Sequence, residues 1–416
     1  MSKMPTGLGL GYRQSNIANL GVKWETQEQF NVGVDFGFFQ NRVNLVVDWY
    51  QKVSKDMLMS LQLPSYMGTS GNASSVLSAP MGNYGDIENK GLEISLNTHP
   101  LVGAFEWDSD FQISFNKNKL RALSGTANAQ IVGYGQWTDV VSVTNVGESL
   151  YNFYGYVCDG VYEDLEDLQT SAKPEKYPAN GVFNRTNTVW VGDIKYKDLN
   201  GDGVIDENDR TNIGSPLPKF TFGWTNTFRY KNFDLSLFIN GSYGNKVYNY
   251  LAMKLTHMNS SWANQLTTVL DRAQIVPIDE TKDYSGGVLV NGTMVHNWYD
   301  DITNVRVSNP ETSTPRSSVQ DPNDNDRISD RYIEDGSYIR LKNITLGYTF
   351  PSKMIKKWGL ENLRVYANIQ NLLTITGYSG YDPEIGASTS SANVYGLDNG
   401  RYPSPTVYSF GLNVSF

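Results

Sequence analysis

Apolar and polar residues alternate strictly along the last segment of the chain, residues 406–416. One set of alternate positions carries Tyr408, Phe410, Leu412, Val414 and Phe416, and the other carries Ser409, Gly411, Asn413 and Ser415. Successive side chains of a β-strand point to opposite faces of its sheet. The segment is therefore predicted to be a strand with one apolar and one polar face. A soluble β-sandwich can contain such a strand, and an outer-membrane β-barrel requires it.

The same alternation recurs along the chain, so the sequence predicts nine strands in an all-β, antiparallel fold. They cover approximately residues 30–38, 43–50, 92–97, 105–115, 220–228, 233–240, 344–350, 363–370 and 406–416. Single-chain bacterial barrels have even strand counts. The odd number indicates either that residues 148–158 hold a further strand or that the chain is part of a larger barrel.

The connections between these segments alternate in length. Short ones are predicted near residues 40–42, 98–104, 230–233 and 351–362, and long ones near 60–86, 119–218, 241–335 and 374–405. Connections in a compact soluble domain are mostly a few residues long. Outer-membrane barrels combine short periplasmic turns with long extracellular loops. The pattern favours a transmembrane β-barrel with extracellular loops, and a large extracellular β-sandwich is the alternative.

Composition agrees with a barrel and narrows the possible partners. The chain has 416 residues, of which 39% are hydrophobic, and it contains 26 Tyr and 9 Trp. It has no run of about 18 apolar residues, which a spanning helix would need. The net charge of −9 without a Lys/Arg cluster argues against a nucleic acid partner. The start of the chain has no apolar signal-peptide region, so we expect the natural N-terminus to be missing.

An acidic loop, residues 198–209, has the spacing of a calcium-binding loop. Oxygen ligands at positions 1, 3, 5, 7, 9 and 12, with glycine at position 6, are the signature of such loops. The candidate ligands are Asp198, Asn200, Asp202, the carbonyl of Val204, Asp206 and Asp209, and position 6 is Gly203. Position 12 is Asp rather than Glu, and no amphipathic helices flank the loop. The sequence therefore predicts an isolated Ca²⁺ site with a structural role.

Other candidate chemistry is weaker. Residues 321–326 are acidic but lack the glycine and the spacing, and they are expected to be a solvated loop. The histidines His99, His257 and His296 lack metal-ligand spacing, and the lone Cys158 is expected to be a packed residue. Trp190, Trp262 and Trp298 lie in long loops, where they could stack on sugars, line a partner interface or pack locally. No nucleophile elbow or phosphate loop is evident, so an enzyme is not predicted.

Four segments resemble the SusC/RagA-like family of TonB-dependent outer-membrane transporters. They are residues 83–93, the acidic loop with the following residues 213–220, residues 332–348, and residues 368–384. Their order along the chain is the order in the family. The resemblance implies a barrel of about 22 strands, of which residues 1–416 form the C-terminal part.

The resemblance also implies a function and partners. Members of the family import oligosaccharides or peptides across the outer membrane of Gram-negative bacteria together with a SusD-like surface lipoprotein. The TonB complex drives them through an N-terminal region, and a plug fills the barrel. Neither the plug nor a TonB box is visible in the sequence, so this chain is expected to supply the barrel wall and the extracellular loops. The alternative function is a calcium-stabilised extracellular adhesin or glycan-binding protein.

Overall fold

Strands dominate the computed structural model, which describes residues 2–6, 9–13, 18–60, 80–123, 129–135, 139–259, 263–386 and 393–416. In chain order the strands are β1 Ser2–Thr6, β2 Gly9–Arg13, β3 Thr26–Phe38, β4 Val43–Ser60, β5 Met81–Leu101, β6 Phe105–Leu123, β7 Ile131–Tyr134, β8 Val140–Thr144, β9 Phe153–Gly155, β10 Cys158–Val161, β11 Lys173–Pro174, β12 Ile194–Tyr196, β13 Val204–Ile205, β14 Thr211–Gly214, β15 Phe220–Tyr230, β16 Phe233–Tyr243, β17 Lys246–Tyr248, β18 Ile275–Pro277, β19 Val288–Val290, β20 Thr293–Val295, β21 Val305–Val307, β22 Ile333–Asp335, β23 Tyr338–Thr349, β24 Asn362–Thr376 and β25 Val407–Ser415. The α-helices are α1 Leu165–Thr170, α2 Tyr250–Thr256 and α3 Ser352–Ile355. Short 3₁₀ turns cover Glu207–Asp209, Thr267–Asp271, Trp298–Asp300, Ile302–Asn304, Asp330–Tyr332 and Lys356–Trp358.

Nine long strands form one antiparallel sheet. Its order is β3–β4–β5–β6–β15–β16–β23–β24–β25, so each strand pairs with its neighbours in the sequence of long strands. Each of the nine predicted segments lies on one of these strands to within a residue, which confirms the predicted strand set. The short segment at 148–158 contains β9, but β9 belongs to a separate four-stranded sheet with β14, β8 and β7.

The ladder register gives the large sheet one apolar face and one polar face. Paired residues across five strands form an apolar row of Val34, Val47, Ile94, Ile113 and Phe222. The next row on the other face contains Gly33, Asp48, Glu93, Ser114 and Thr221. Directly paired residues lie on the same face of a sheet. The predicted parity is therefore confirmed across strands far apart in the sequence.

The strands extend further than the alternation predicted. β5 begins at Met81, whereas the sequence placed a loop at 60–86 and a strand from 92. Its first half pairs with the end of β4 across two register shifts, and from Gly85 onward it also pairs with the end of β6. The alternation does not reveal these strand ends, because ladder hydrogen bonds form between backbone groups whatever the side chains are. The long connections are accordingly 61–80, 124–219, 244–337 and 377–406, and their extracellular position stays a prediction.

The two outer strands of the sheet carry one ladder each. Among the described residues β3 pairs only with β4, and β25 pairs only with β24. Unpaired backbone groups in a bilayer cost several kcal/mol apiece, so the sheet needs further strands to close in a membrane. Among the described residues, no helix is both long and apolar enough to cross a membrane.

The two faces of β6 give a direct test of which side meets lipid. We expect Ile113→Arg to destabilise the folded barrel by about 2–4 kcal/mol in vesicles, because it places a charge in the bilayer. The matched variant Gln112→Arg lies on the polar face and should change the free energy of unfolding much less. Equilibrium unfolding in guanidinium measures both. Equal losses of unfolding free energy in the two variants would contradict the assignment of faces. A larger loss for Gln112→Arg would reverse it.

Candidate functional site: the loop assembly

Three of the long connections fold into a body with its own hydrophobic cores, here called the loop assembly. It consists of the described residues of 124–219 (the first connection), 244–337 (the second) and 377–406 (the third). The larger core includes Tyr162, Trp190, Ile194, Ile205, Ala273, Ile302 and Val305, and the smaller includes Phe153, Tyr248, Tyr250, Met253, Val394 and Leu397. The larger core joins the first two connections, and the smaller joins all three. The loops are thus held in place by burial of apolar surface, the dominant favourable term in folding.

A buried ionic cluster ties the first connection to the second. Asp193 is fully buried, and its Oδ1 lies 2.7 Å from Nε of Arg316. Asn325 donates from Nδ2 to the same oxygen over 3.1 Å and accepts at Oδ1 from the backbone N–H of Ile194 over 2.7 Å. Buried charges are tolerated when they are paired and hydrogen-bonded. The cluster therefore fixes one arrangement of the two connections.

Residues 321–326 are part of this packing, so the expectation of a solvated loop was wrong. Asn323 and Asn325 are 1% and 3% exposed. His257, at the end of α2, lies between two carboxylates of the segment: its Nε2 is 3.1 Å from Asp321 and its Nδ1 is 3.0 Å from Asp326. The sequence signal was hidden because the burial comes from residues about 65 and 130 positions away.

This histidine and its two carboxylates are the one group of three His, Cys, Asp or Glu ligands in the described residues whose donor atoms converge within 4.8 Å. Each ring nitrogen faces a different carboxylate, which suits an imidazolium that donates on both sides better than a metal ligand. Burial lowers the pKa of His257, but the bonds to Asp321 and Asp326 outweigh it and raise the pKa to about 9. The group is an ionic clamp between α2 and the 321–326 segment.

The acidic loop is folded back on itself by its own side chains. Asp198 accepts from the backbone N–H groups of Gly201 over 2.6 Å and Gly203 over 2.8 Å. Asp209 accepts from the N–H groups of Leu199 over 2.9 Å and Asp206 over 2.8 Å, which brings the two ends of the loop together. Gly203 has φ +84°, a conformation that L side chains rarely adopt. The sixth position thus makes the sharp turn that the spacing predicted.

The donor set of this loop fits a hard cation. Within the described part of the chain, none of its carboxylates (Asp198, Asp202, Asp206 and Asp209) has a Lys, Arg or His partner within 4.0 Å. Backbone N–H groups, first that of Gly203, hold the pKa of Asp198 below its usual range, so it stays ionised. The side chain of Asn200 and the Val204 carbonyl are further oxygens of the kind calcium prefers. No three of the carboxylates converge within 4.8 Å, so binding would draw them closer together.

The acidic loop lies at a junction of the loop assembly. Its buried Ile205 belongs to the larger core, and Gly203 accepts from the N–H of Lys173 over 2.9 Å. Immediately after it, Arg210 donates to the carbonyls of Val140 over 2.7 Å and Tyr154 over 3.2 Å. β14 then joins the four-stranded sheet and leads into β15. The acidic loop is therefore joined to the larger core, and the residues that follow it join the four-stranded sheet.

A polar cleft of about 750 Å³ adjoins the acidic loop. Its lining includes Asp206, Glu207, Arg210, Asp324 and Arg327. The guanidinium of Arg327 lies 5.3 Å from the ring centroid of Tyr156, another lining residue, and that of Arg210 lies 5.9 Å from it. The cleft combines charges of both signs with an aromatic ring, which suits a polar ligand of some size.

The last two of the four sequence segments meet at Arg340 on β23, a residue that the sequence analysis did not single out. Its Nη1 lies 2.7 Å from Oε2 of Glu384, and its Nη2 contacts Asp382. Asp382 also accepts from the N–H groups of Glu384 and Ser404, each over 3.0 Å. Burial raises the pKa of Asp382, but these donors and Arg340 outweigh it, so the pKa is lowered. Arg340 therefore anchors the 377–406 connection to the sheet.

Burial decides the roles of two loop tryptophans and of the single cysteine. Trp190 is 1% exposed and lies in the larger core, and Trp298 packs against that core, so both pack locally. Trp262 lies outside the described residues. Burial raises the pKa of Cys158 to about 12, which suits the expected packed residue and not a nucleophile.

Comparison with known proteins agrees with this architecture. The family model described as "TonB dependent receptor-like, beta-barrel" matches residues 3–372. The chain belongs to this family. Barrels of the family lie in the outer membrane, and in such barrels the apolar face of the sheet meets lipid. The predicted family and localisation are confirmed.

Curated relatives cover nearly the whole chain. TonB-dependent receptor P3 of Formosa agariphila is 34% identical over 410 residues, which are 97% of this chain and 35% of the relative. TonB-dependent receptor SusC of Bacteroides thetaiotaomicron is 27% identical over 405 residues, which are 96% of this chain and 32% of SusC. The chain thus spans about a third of the length of these relatives.

A solved structure shares the fold. The RagAB peptide transporter matches with a TM-score of 0.72 and 20% identity, over 100% of this chain and 38% of the matched chain. The same importer in its "closed-closed" state matches with a TM-score of 0.67. At this identity the likeness shows the fold alone.

The His257 clamp makes the loop assembly sensitive to alkaline pH. Because the folded pKa of about 9 lies above the unfolded value of 6.5, the clamp stabilises fully below pH 6.5. Its contribution is lost as the pH rises through about 9. We expect hydrogen exchange in 250–257 and 321–332, corrected for intrinsic rates, to accelerate between pH 8 and 10. His257→Gln should show fast exchange already at pH 7, whereas the exposed His296→Gln is the control. An unchanged pH profile in His257→Gln would contradict the clamp.

Removing Arg340 should loosen the 377–406 connection. Arg340→Met leaves the buried carboxylate of Asp382 without a cation, and breaking such a pair costs about 3–5 kcal/mol. The double variant Arg340→Met/Asp382→Leu should recover part of the loss, because it removes the uncompensated charge. Thermal unfolding and limited proteolysis report both effects, with the exposed Arg306→Met as control. A double variant no more stable than the single one would exclude this account.

Proposed function

We propose that this chain forms part of the barrel wall and the extracellular loops of a TonB-dependent importer of oligosaccharides or peptides. The observation that carries the proposal is a sheet with one apolar face, three of whose long connections fold into a packed body with a polar cleft of about 750 Å³. A wall of this kind needs no such body, but an importer needs a surface that selects cargo. The relative named SusC supports the same class of function.

The same proposal includes the partners. A SusD-like surface lipoprotein would cover the loop assembly, and the TonB complex would act through the N-terminal region of the whole protein. Exposed apolar side chains in the second connection, among them Leu270, Ile278, Leu289 and Met294, give the lipoprotein a surface to bury. The alternative of an extracellular adhesin gains no support from the apolar face of the sheet, which a soluble protein would have to cover.

Uptake in the native cell tests the function. Cells carrying the intact protein should accumulate fluorescently labelled oligosaccharides or peptides too large to diffuse freely through narrow pores. A protonophore should abolish the accumulation. Cells without the protein should not accumulate them. The matched loop variants Arg327→Gln, in the cleft, and Arg306→Gln, outside it, should differ, with uptake reduced only in the first.

Three outcomes would overturn the importer. They are uptake that is indifferent to loss of the protein, uptake that is indifferent to the protonophore, and extraction of the protein from cells without detergent. The last would favour the adhesin. Co-purification of a surface lipoprotein with the tagged protein checks the partner separately.

We further propose that the acidic loop binds Ca²⁺ through Asp198, Asn200, Asp202, the Val204 carbonyl, Asp206 and Asp209. The ion would supply charge compensation and cross-link the two ends of the loop, and so hold the first connection against both cores. A ligand that binds only the folded loop stabilises it by about 2.7 kcal/mol at a concentration 100 times its Kd. Because Asp206 also lines the polar cleft, the ion would shape the surface that meets the cargo.

Chelation tests the calcium proposal. In the intact protein, EDTA should raise proteolysis within 160–215, and Ca²⁺ should restore protection. Asp202→Asn/Asp206→Asn should be cleaved quickly with or without Ca²⁺, because it lacks two charged ligands. The control Asp279→Asn/Asp283→Asn changes two exposed carboxylates that cap turns elsewhere and should behave as the unmodified protein. Cleavage that is insensitive to EDTA would remove the structural role.

A further inference from the structure

A groove crosses the apolar side of the sheet near the ends of β23 and β25 and the start of β24. It has a volume of about 530 Å³, and its apolar walls include Phe233, Leu346, Val365, Ala367, Phe410 and Leu412. The register explains it. Ala367 pairs with Leu346 on one side and Phe410 on the other, so a single methyl group lies between two large side chains. The groove is therefore a built depression in a face that is otherwise covered by large residues.

The occupant of an apolar groove at this depth is a lipid chain, because the apolar face of this family's barrel meets the bilayer. The groove residue of β24 that lies nearest to the 350–361 connection is Val365, three residues after the strand begins at Asn362. At about 3.3 Å per residue, that residue lies roughly 10 Å from the connection 350–361. A chain lying in the groove thus has its headgroup beside this connection.

The connection 350–361 carries the charge that such a headgroup would need. Lys353, Lys356 and Lys357 are all exposed, and in the part of the chain described here none has a carboxylate within 4.0 Å. Lys231 in the neighbouring short turn is exposed as well, and the one acidic residue of the connection is Glu361. Four lysines against one carboxylate make this edge of the sheet cationic.

The same connection carries the apolar residues of a membrane interface. Trp358 is 64% exposed and Met354 is 52% exposed, although Ile355 between them is buried. Tryptophan is enriched where a protein surface meets lipid headgroups, and lysine reaches from apolar surface to the polar boundary. The connection therefore lies at headgroup level, with its cations above the groove.

We propose that this edge binds one anionic phospholipid, with an acyl chain in the groove over Ala367 and the phosphate on Lys353, Lys356 and Lys357. The site lies at the short-turn end of the barrel, on the side opposite the loop assembly. It is independent of cargo, and nothing in it depends on the importer being active. Its role is to fix the height of the strand ends in one leaflet.

Native mass spectrometry of the intact protein, extracted from its outer membrane, delipidated and then titrated with lipid, tests the site. Phosphatidylglycerol should bind with one tight equivalent, and phosphatidylcholine should not. Basic side chains near a membrane surface each strengthen binding to anionic lipid, and three together amount to about a hundredfold in affinity. The triple variant Lys353→Gln/Lys356→Gln/Lys357→Gln should bind phosphatidylglycerol about a hundredfold more weakly. Ala367→Trp should not bind phosphatidylglycerol tightly, because the indole fills the groove.

Matched controls separate the site from general charge and general lipid contact. Lys23→Gln/Lys176→Gln/Lys197→Gln removes three exposed lysines elsewhere, and Val34→Trp adds an indole to the same lipid-facing side on β3. Both should keep the tight equivalent. The proposal is overturned by equal binding of the two lipids, by full affinity in the lysine variant, or by full affinity in Ala367→Trp. If Ala367→Trp fails to fold, as judged by heat-modifiability on a gel, the lysine variant decides alone, since it leaves the sheet unchanged.

Discussion

Backbone hydrogen bonding in lipid is the constraint on which this structure depends. A bilayer offers no partner for an N–H or a carbonyl, so a chain that crosses it in strands must satisfy each group on a neighbouring strand. The nine-stranded ladder does this along an unbroken series of antiparallel pairs. Because side chains alternate along each strand, the same ladder separates an apolar face from a polar one. The structure of the long connections follows from their position outside this ladder.

Beyond the ladder, water can satisfy the backbone, and the chain follows the rules of a soluble protein. The long connections form hydrophobic cores of their own and use buried ionic ties where two connections meet, as at Asp193 and Arg316. Arg340 performs the same task at the boundary, where it joins a strand of the sheet to the last connection. Buried ion pairs and hydrogen bonds are directional, whereas apolar contacts permit several arrangements. The polar contacts therefore select one arrangement of the loops.

The sequence predicted the strands well because their signal is local. A period of two is readable in any short segment, and Phe410 or Leu412 shows it without knowledge of a partner. The strand ends were misjudged because β5 begins with polar residues whose only structural signal is their pairing with β4 and β6. The acidic loop was located by spacing alone, since the residues that define its fold, from Asp198 to Asp209, lie within twelve positions of one another.

What could not be predicted depends on contacts distant in the sequence. Residues 321–326 have the composition of a solvated loop, and only the packing against His257 and Asp193 shows that they are buried. Arg340 carries no local mark of its role, because its partners Asp382 and Glu384 lie more than forty residues away. In both cases a charge that looks like surface in the sequence is internal in the fold.

The joining of the 124–219 and 244–337 connections has a consequence for how such proteins diverge. Asp193, Arg316 and Asn325 come from two segments that leave different pairs of strands, yet they form one buried cluster. A recombination that exchanged only one of these segments between relatives would bring together halves of two different clusters. New shapes of the loop assembly would therefore be inherited most readily when both segments are exchanged as a unit.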